Sequence, residues 1–288
     1  GEKNCLLDYI VGVATDKEKR RQGHMRDLLG RVVQDGYREG KPFCFLMPAD
    51  KAIYEPFGFR FIFRQPQWEK KSLEEENGLR MVSGAASEEQ NFEELSSFME
   101  NWMSCRFQVY GIRDQAYTAN LVKELASEDG IITRTYQNDV LTGLEAVWGR
   151  EEKEQRFLYL PKEWVREAGP PKPAIMARIL NLKTFLELFA LKEGEMDPAE
   201  ILLNVNDPLI PENTGMWRWM LTPHGSRAEH APACTDAKKA PCPCSPSQLI
   251  GWLMGDKETV SSGFEKGFYP SWRSRIQGFT QIYLDEIV

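Results

Sequence analysis

The chain contains little of what several classes of protein need. Six cysteines in 288 residues are too sparse for a small disulfide-rich secreted scaffold. The 36 lysines and arginines are outnumbered by 43 aspartates and glutamates, which gives a net charge of −7. A surface that follows nucleic-acid phosphates usually needs a basic excess, so this balance argues against a nucleic-acid partner. No apolar run is long enough to cross a bilayer, and residues 1–5 lack a signal-peptide layout, so we expect a cytoplasmic protein without a membrane partner.

The composition that is present, 42% hydrophobic and 27% charged, suits a chain with two or three compact units. We predict an α+β fold in three parts, with boundaries at residues 1–71, 72–172 and 173–288. The glycine and prolines of residues 169–173 are the clearest candidate for a linker.

The first part reads as a strand, a helix and a second strand. Alternating side chains predict a strand over residues 6–15, and apolar residues at helical spacing predict a helix that begins near Gly23. Residues 42–47 form a second β-like run. This order and spacing indicate a βαβ unit with parallel strands.

The other two parts contain clear helix and hairpin signals. Residues 87–90 have a capping-box pattern that predicts the start of a helix, and residues 131–136 and 140–148 predict a hairpin. Residues 223–247 suggest a long loop, after which Ser245 begins a helix. Residues 279–288 alternate like a strand.

The most informative stretch is residues 11–25, where a strand leads through a basic turn into the amphipathic helix. Unpaired N–H groups and the positive end of the helix dipole favour an anion there, and Gly23 lets the backbone approach it closely. Arg20 and Arg21 add positive charge. The pattern indicates a pyrophosphate cradle, although it matches neither a Walker loop nor a Rossmann fingerprint. The alternative is a basic helix start on a solvated surface.

This stretch resembles the acetyl-CoA-binding motif of the GNAT superfamily of N-acetyltransferases. Its Arg-Arg-Gln-Gly-x-Met core resembles in particular that of the enhanced intracellular survival (Eis) family, which shares the bulky residue at Met25. The resemblance implies that acetyl-CoA is the co-substrate. It also implies a set of cofactor-binding residues: Val13, Ala14, Thr15, Arg21, Gln22, Gly23, His24, Met25, Arg26, Ala49 and Asp50.

Residues 53–59, Ile-Tyr-Glu-Pro-Phe-Gly-Phe, resemble a second Eis segment, in which the tyrosine protonates the departing thiolate. Tyr54 would hold that role, because a phenol with a pKa of about 10 is still protonated at neutral pH. The alternative is a core aromatic beside a turn.

The last residues resemble the final Eis strand, which implies that the carboxylate of Val288 is the general base. For a chain terminus, an exposed end is the commoner case.

Residues 173–288 resemble the sterol-carrier-protein-like domain that ends Eis proteins, and the family implies homo-oligomers, often hexamers.

The reaction that the resemblance implies is direct acetyl transfer to a primary amine of an aminoglycoside, polyamine or lysine. The match begins late, without the front of the first GNAT lobe, so we expect acetyl-CoA to bind weakly or not at all. The alternative is therefore a non-catalytic or truncated remnant with a structural or ligand-sensing role.

A zinc site is the remaining candidate. His224, His230, Cys234, Cys242 and Cys244 are clustered in sequence, but the spacing is irregular and contains no Cys-x-x-Cys pair. We therefore expect no metal.

Overall fold

The computed structural model describes residues 3–72, 78–232, 241–255 and 270–284. The chain has a mixed α+β fold, as predicted, and divides into two compact units. The first unit joins Gly1–Arg64 to Pro173–Thr280, and the second joins Gln65–Lys172 to Gln281–Leu284. Among the described residues, no helix is long and apolar enough to cross a membrane.

The first unit begins with the predicted βαβ arrangement. It comprises β1 (Asp8–Tyr9), α1 (His24–Arg38) and β2 (Phe43–Leu46), followed by α2 (Lys51–Tyr54), and β1 pairs with β2 in parallel. The strand predicted over residues 6–15 is much too long. Its last ladder bond joins the Ile10 N–H to the Phe45 carbonyl, and Gly12 then takes a left-handed φ of 66°. Alternating side chains gave the strand pattern, but a strand also needs extended backbone with hydrogen-bonded neighbours.

Two long strands complete the first sheet. They are β3 (Arg60–Lys70) and β9 (Val165–Ile179), and the sheet order is β1-β2-β9-β3. The linker predicted at residues 169–173 is wrong, because these residues lie inside β9. Proline lacks an N–H group but has an extended φ, so it fits a strand wherever no ladder donor is needed.

Residues after β9 supply a second sheet of the first unit. This part contains α5 (Leu182–Leu186), β10 (Ala199–Val205), β11 (Gly215–Thr222), β12 (Gly225–His230), β13 (Cys242–Cys244) and α6 (Pro246–Met254), and the order of the sheet is β12-β11-β10-β13. The capping box of Ser245 and Gln248 begins α6, as predicted. The long loop predicted at 223–247 is wrong where β12 and β13 form, and residues 233–240 lie outside the described part.

The core beside α1 draws on both chain segments of the first unit. Gly36 of α1 faces Leu180, since a Cβ atom at Gly36 would lie 2.5 Å from Leu180 Cδ1. The buried members are Leu29, Val33, Cys44, Leu46, Tyr54, Phe59, Met176, Leu180 and Ile210.

In the part of the second unit that the structure describes, two helices pack on one sheet. Its elements are β4 (Leu79–Ala85), α3 (Phe92–Ser104), β5 (Val109–Tyr110), α4 (Gln115–Ser127), β6 (Ile131–Gln137), β7 (Val140–Trp148), β8 (Glu154–Tyr159) and β14 (Ile282–Tyr283), and the main sheet has the order β4-β6-β7-β8. The predicted hairpin is confirmed in β6 and β7. The capping box at 87–90 is wrong, because Asn91 caps α3 by accepting from the Glu94 N–H at 3.1 Å. The last strand is predicted over residues 279–288. Within the described part of this range, the strand is β14, and residues 285–288 lie outside the described part.

Candidate functional site

The turn that precedes α1 has an unusual backbone. A short 3-10 helix, Lys17–Lys19, is capped by Asp16, and the chain then turns sharply into α1. Arg21 and Gly23 both have left-handed conformations, with φ of 63° and 89°. Glycine adopts this conformation freely, whereas for Arg21 it costs on the order of 1 kcal/mol. Strain of this kind clusters at ligand sites, and here it shapes the approach to the helix.

The first turn of α1 presents free backbone donors. Gly23 is the N-cap and contributes no side-chain cap, and the first intrahelical bond runs from the Asp27 N–H to the Gly23 carbonyl at 3.0 Å. The N–H groups of His24, Met25 and Arg26 therefore have no acceptor within the helix. Together with the helix dipole, they favour a bound anion at this end.

A cavity of about 530 Å³ lies at this turn. Among the described residues, those that line it include four permanent cations and one histidine but no carboxylate; they are Thr15, Lys19, Arg20, Arg21, Gly23, His24, Met25, Arg26 and Phe57.

The cations of the cavity are not neutralised by neighbours. Arg20 donates from Nε to the carbonyl of Thr15 at 3.3 Å, which fixes its direction without cancelling its charge. In the described part of the chain, no ion pair involves Lys19, Arg20, Arg21 or Arg26. The cavity is thus an electropositive recess that fits a phosphate or pyrophosphate.

The structure brings six of the predicted cofactor-binding residues to this cavity: Thr15, Arg21, Gly23, His24, Met25 and Arg26. Val13, Ala14, Gln22, Ala49 and Asp50 do not line it. The side chain of Gln22 donates to the Glu18 carbonyl at 3.3 Å, and Asp50 caps α2 by accepting from the Ala52 N–H at 2.9 Å.

Three lining residues, Lys19, Arg20 and Phe57, were outside the predicted set. The basic run that contains Lys19 and Arg20 was a visible signal. Phe57 comes from a separate segment, so only the fold could place it here.

Tyr54 lies at the end of α2, in the same core that packs Met25 and Phe57 of the cavity. The residue is 6% exposed, and its ring meets Phe59 edge-on at 6.0 Å between centroids. Burial raises the pKa of Tyr54, because the charged phenolate is poorly solvated there. Its hydroxyl has no hydrogen-bond partner among the residues that the structure describes. The group is therefore a protonated donor that is not already engaged.

The other predicted groups can be placed only in part. Val288 lies outside the described residues, so its role as base stays a prediction. Among the residues described, no cluster of histidine, cysteine or acidic side chains could hold a metal, and Cys234 lies outside them. Cys44 is buried in β2, and burial raises the pKa of its thiol to about 12. It is therefore a core residue rather than a nucleophile.

The sequence of this segment matches a known domain family. Residues 1–62 match the family model described as an acetyltransferase (GNAT) domain. That range includes the turn, the cavity and Tyr54. Among curated proteins, none matches the chain.

Solved structures show the same fold over nearly the whole chain. A GCN5-related N-acetyltransferase from Kribbella flavida matches with a TM-score of 0.68 and 15% identity, over 98% of this chain and 79% of its own. One from Anabaena variabilis matches with a TM-score of 0.66 and 15% identity, over 96% and 79%. Eis1 from Mycobacterium abscessus matches with a TM-score of 0.65 and 12% identity, over 98% and 82%. The chain therefore has the fold of GCN5-related N-acetyltransferases, and its residues 1–62 match the acetyltransferase (GNAT) domain.

Proposed function

We propose that this protein transfers an acetyl group from acetyl-CoA directly to a primary amine. The observation that carries the proposal is the cation-lined cavity at the uncapped start of α1, within the segment that matches the acetyltransferase domain. Acetyl-CoA supplies a pyrophosphate for this cavity and an acetyl thioester for the reaction. The two features that such a pyrophosphate needs, free backbone donors and unpaired cations, are both present.

We propose that the cavity holds acetyl-CoA by its phosphates. Arg21 and Arg26 contribute charge, and the N–H groups of the first turn of α1 contribute hydrogen bonds. The backbone of residues 13–15 would hold the pantetheine arm and offer an N–H to the developing oxyanion. We also propose that Gln22, Ala49 and Asp50 contact acetyl-CoA, because the resemblance to the Eis family implies it.

Tyr54 is proposed as the general acid. It would donate its phenolic proton to the thiolate that leaves as the amine attacks. Its buried position keeps the phenol protonated, and its free hydroxyl is available to donate. The carboxylate of Val288 is the proposed general base toward the amine. Since the buried Cys44 is no nucleophile, we propose transfer in one step within a ternary complex.

The acceptor and the assembly are further proposals. Aminoglycosides, polyamines and lysine side chains are the acceptors that the Eis resemblance suggests, and the acidic net charge suits a cationic amine. We also propose that residues 173–288 correspond to the sterol-carrier-protein-like domain of Eis proteins. The likeness of fold to Eis1 over 98% of this chain supports it. A homo-oligomer, up to a hexamer, is proposed on the same basis, and light scattering after size exclusion tests it.

Calorimetric titration with acetyl-CoA tests whether the cavity binds its phosphates. Wild-type protein is expected to bind, and Arg21→Ala to bind about tenfold more weakly, since a hydrogen bond to a charged group contributes about 1.5–3 kcal/mol. Arg227→Ala is the matched control, because Arg227 is an exposed arginine of the first unit that pairs with Glu229 at 3.4 Å. Equal weakening by both variants would count against the cavity.

Turnover with a panel of the three amine classes tests the chemistry. We expect acetylated product with at least one class. Binding of acetyl-CoA without any turnover would instead favour the ligand-sensing alternative.

A further inference from the structure

Arg178 of β9 and Asp207, which follows β10, form a deeply buried ion pair. Arg178 Nη2 lies 2.7 Å from Asp207 Oδ1, and the two side chains are 3% and 0% exposed. Asp207 is held rigidly, since its carboxylate also accepts from the N–H groups of Leu209 and Ile210 and from Asn213 Nδ2. A buried pair of this kind is weak evidence for a stability role, because desolvation offsets much of the attraction.

The guanidinium of Arg178 is only partly satisfied. Its Nε atom is buried and has no hydrogen-bond partner among the described residues. The unpaired Nε lowers the stability of the core, because an unsatisfied buried donor costs free energy. Stability alone therefore does not explain why an arginine occupies this position.

The other end of the guanidinium lies against the turn that carries Tyr54. Gly58 ends the 3-10 helix Glu55–Phe57 with a left-handed φ of 84°. A Cβ atom at Gly58 would lie 2.5 Å from Arg178 Nη1, so the guanidinium packs directly on the glycine backbone. The absence of a side chain is required here both by conformation and by space.

The Gly58 turn, residues 54–60, is further held by hydrogen bonds from Arg60 to two of its carbonyls. Arg60 Nη1 donates to the carbonyls of Phe59 at 2.7 Å and Glu55 at 3.2 Å. The Phe59 N–H reaches the Tyr54 carbonyl at 3.4 Å, and the rings of these two residues meet edge-on. A shift of the backbone at Gly58 would therefore move Tyr54.

We propose that the Arg178–Asp207 pair is a positioning device that fixes the Gly58 turn and thereby holds the Tyr54 hydroxyl where it donates its proton. This inference rests on the proposed function, in which Tyr54 is the acid. Arg178, which lies on a strand distant in sequence, would thereby contribute to the chemistry of residues 1–62. Arg178 acts through the turn and does not touch the reacting atoms.

Steady-state kinetics of Arg178→Lys test the idea. The lysine keeps the charge near Asp207 but lacks the planar group under Gly58. We expect kcat to fall about 10- to 100-fold, as a misplacement of about 1 Å can do, while the dissociation constant of acetyl-CoA changes less than about threefold. Arg166→Lys is the matched control, because it makes the same change in β9 at an exposed ion pair with Glu69. An unchanged kcat in Arg178→Lys, or an equal loss in affinity, overturns the inference.

A double-mutant cycle with Tyr54→Phe separates positioning from general destabilisation. If Arg178 acts through Tyr54, adding Arg178→Lys to Tyr54→Phe causes no further loss of kcat, whereas independent effects multiply. Multiplying effects overturn the inference but leave Tyr54 as the acid. An unchanged kcat in Tyr54→Phe overturns the acid role itself and the positioning inference with it.

Tyrosine NMR gives a readout that needs no turnover. With ¹³Cζ-labelled tyrosine, the Tyr54 signal is identified by its loss in Tyr54→Phe. In Arg178→Lys we expect it to broaden and to titrate at lower pH, toward an exposed tyrosine, because the turn is no longer held. An unchanged signal overturns the proposal. If circular dichroism shows Arg178→Lys unfolded, Gly58→Ala serves instead, since its methyl group pushes against Arg178 Nη1 and should produce the same changes.

Discussion

Arg21 and Gly23 both have left-handed backbone conformations, on either side of Gln22. This pair turns the chain so that the donors of the first turn of α1 and the side chain of Arg21 face one cavity. Only one of the two residues is a glycine, so the turn keeps a positive charge at the cost of some backbone strain.

Gly23→Ala should lower the free energy of unfolding by about 1 kcal/mol, because a left-handed φ of 89° disfavours any Cβ. A Cβ there would meet no atom within 4 Å, so the loss comes from conformation rather than from a clash. Gly169→Ala is the control, since that glycine has the same open space without a positive φ. Urea denaturation measures both, and an unaltered midpoint for Gly23→Ala would contradict the assignment.

Acetyl-CoA affinity should fall as salt rises. Charges in an open cavity are screened, with a Debye length of about 10 Å at 0.1 M salt and about 3 Å at 1 M. Titrations between these concentrations should show a weaker dependence in an Arg21→Ala/Arg26→Ala variant, because fewer charges remain to be screened. The same salt dependence in both proteins would mean that the phosphates bind elsewhere.

Tyr54 should make the protein sensitive to high pH. Burial raises its folded-state pKa, so above a pH of about 10 the unfolded chain loses the phenolic proton first, which lowers the free energy of unfolding. Stability attributable to Tyr54 is thus complete below that pH and is lost as the pH rises through the folded-state value. Urea midpoints between pH 8 and 11 should fall less steeply in Tyr54→Phe than in wild type. Parallel curves would argue against the raised pKa.

Asp207→Ala should lower the free energy of unfolding of the first unit by about 3 kcal/mol or more. It leaves the Arg178 charge buried and unpaired and removes the acceptor of two backbone N–H groups. Glu69→Ala breaks an exposed pair with Arg166 and should change stability by less than about 1 kcal/mol. Tryptophan fluorescence during urea unfolding compares them. Similar midpoints would show that the buried pair is dispensable.

Cysteine alkylation should follow exposure. Cys5 and Cys105 are exposed, although partial burial raises the pKa of the Cys5 thiol, whereas Cys44 is buried with its thiol pKa raised to about 12. Iodoacetamide at pH 8 should therefore modify the first two in the native protein and Cys44 only in urea, since the thiolate is the reactive form. Peptide mass spectrometry gives the sites, and rapid native labelling of Cys44 would contradict its place in the core.

Local signals in the sequence predicted much of this fold. The start of α1 at Gly23, the β6–β7 hairpin and the capping box of α6 depend on residues close together in the chain. The basic turn before α1 could be predicted for the same reason, since Arg21 and Gly23 adjoin the helix they begin, whereas its binding of pyrophosphate stays a prediction.

Features that depend on distant partners could not be predicted. The prolines of residues 169–173 indicated a linker because sequence composition does not reveal that β9 has sheet neighbours. The pairing of Arg178 with Asp207, and its contact with Gly58, join segments separated by many residues. Phe57 reaches the cavity only through the fold of the Gly58 turn.

The core beside α1 has a consequence for biosynthesis. Leu29 and Val33 are made before Met176, Leu180 and Ile210 of the same cluster, and residues 65–172 of the second unit are translated in between. A nascent chain on the ribosome cannot close this core until Ile210 has left the exit tunnel. The apolar face of α1 therefore stays without its core partners while the second unit emerges, and apolar surface exposed in this way favours aggregation during synthesis.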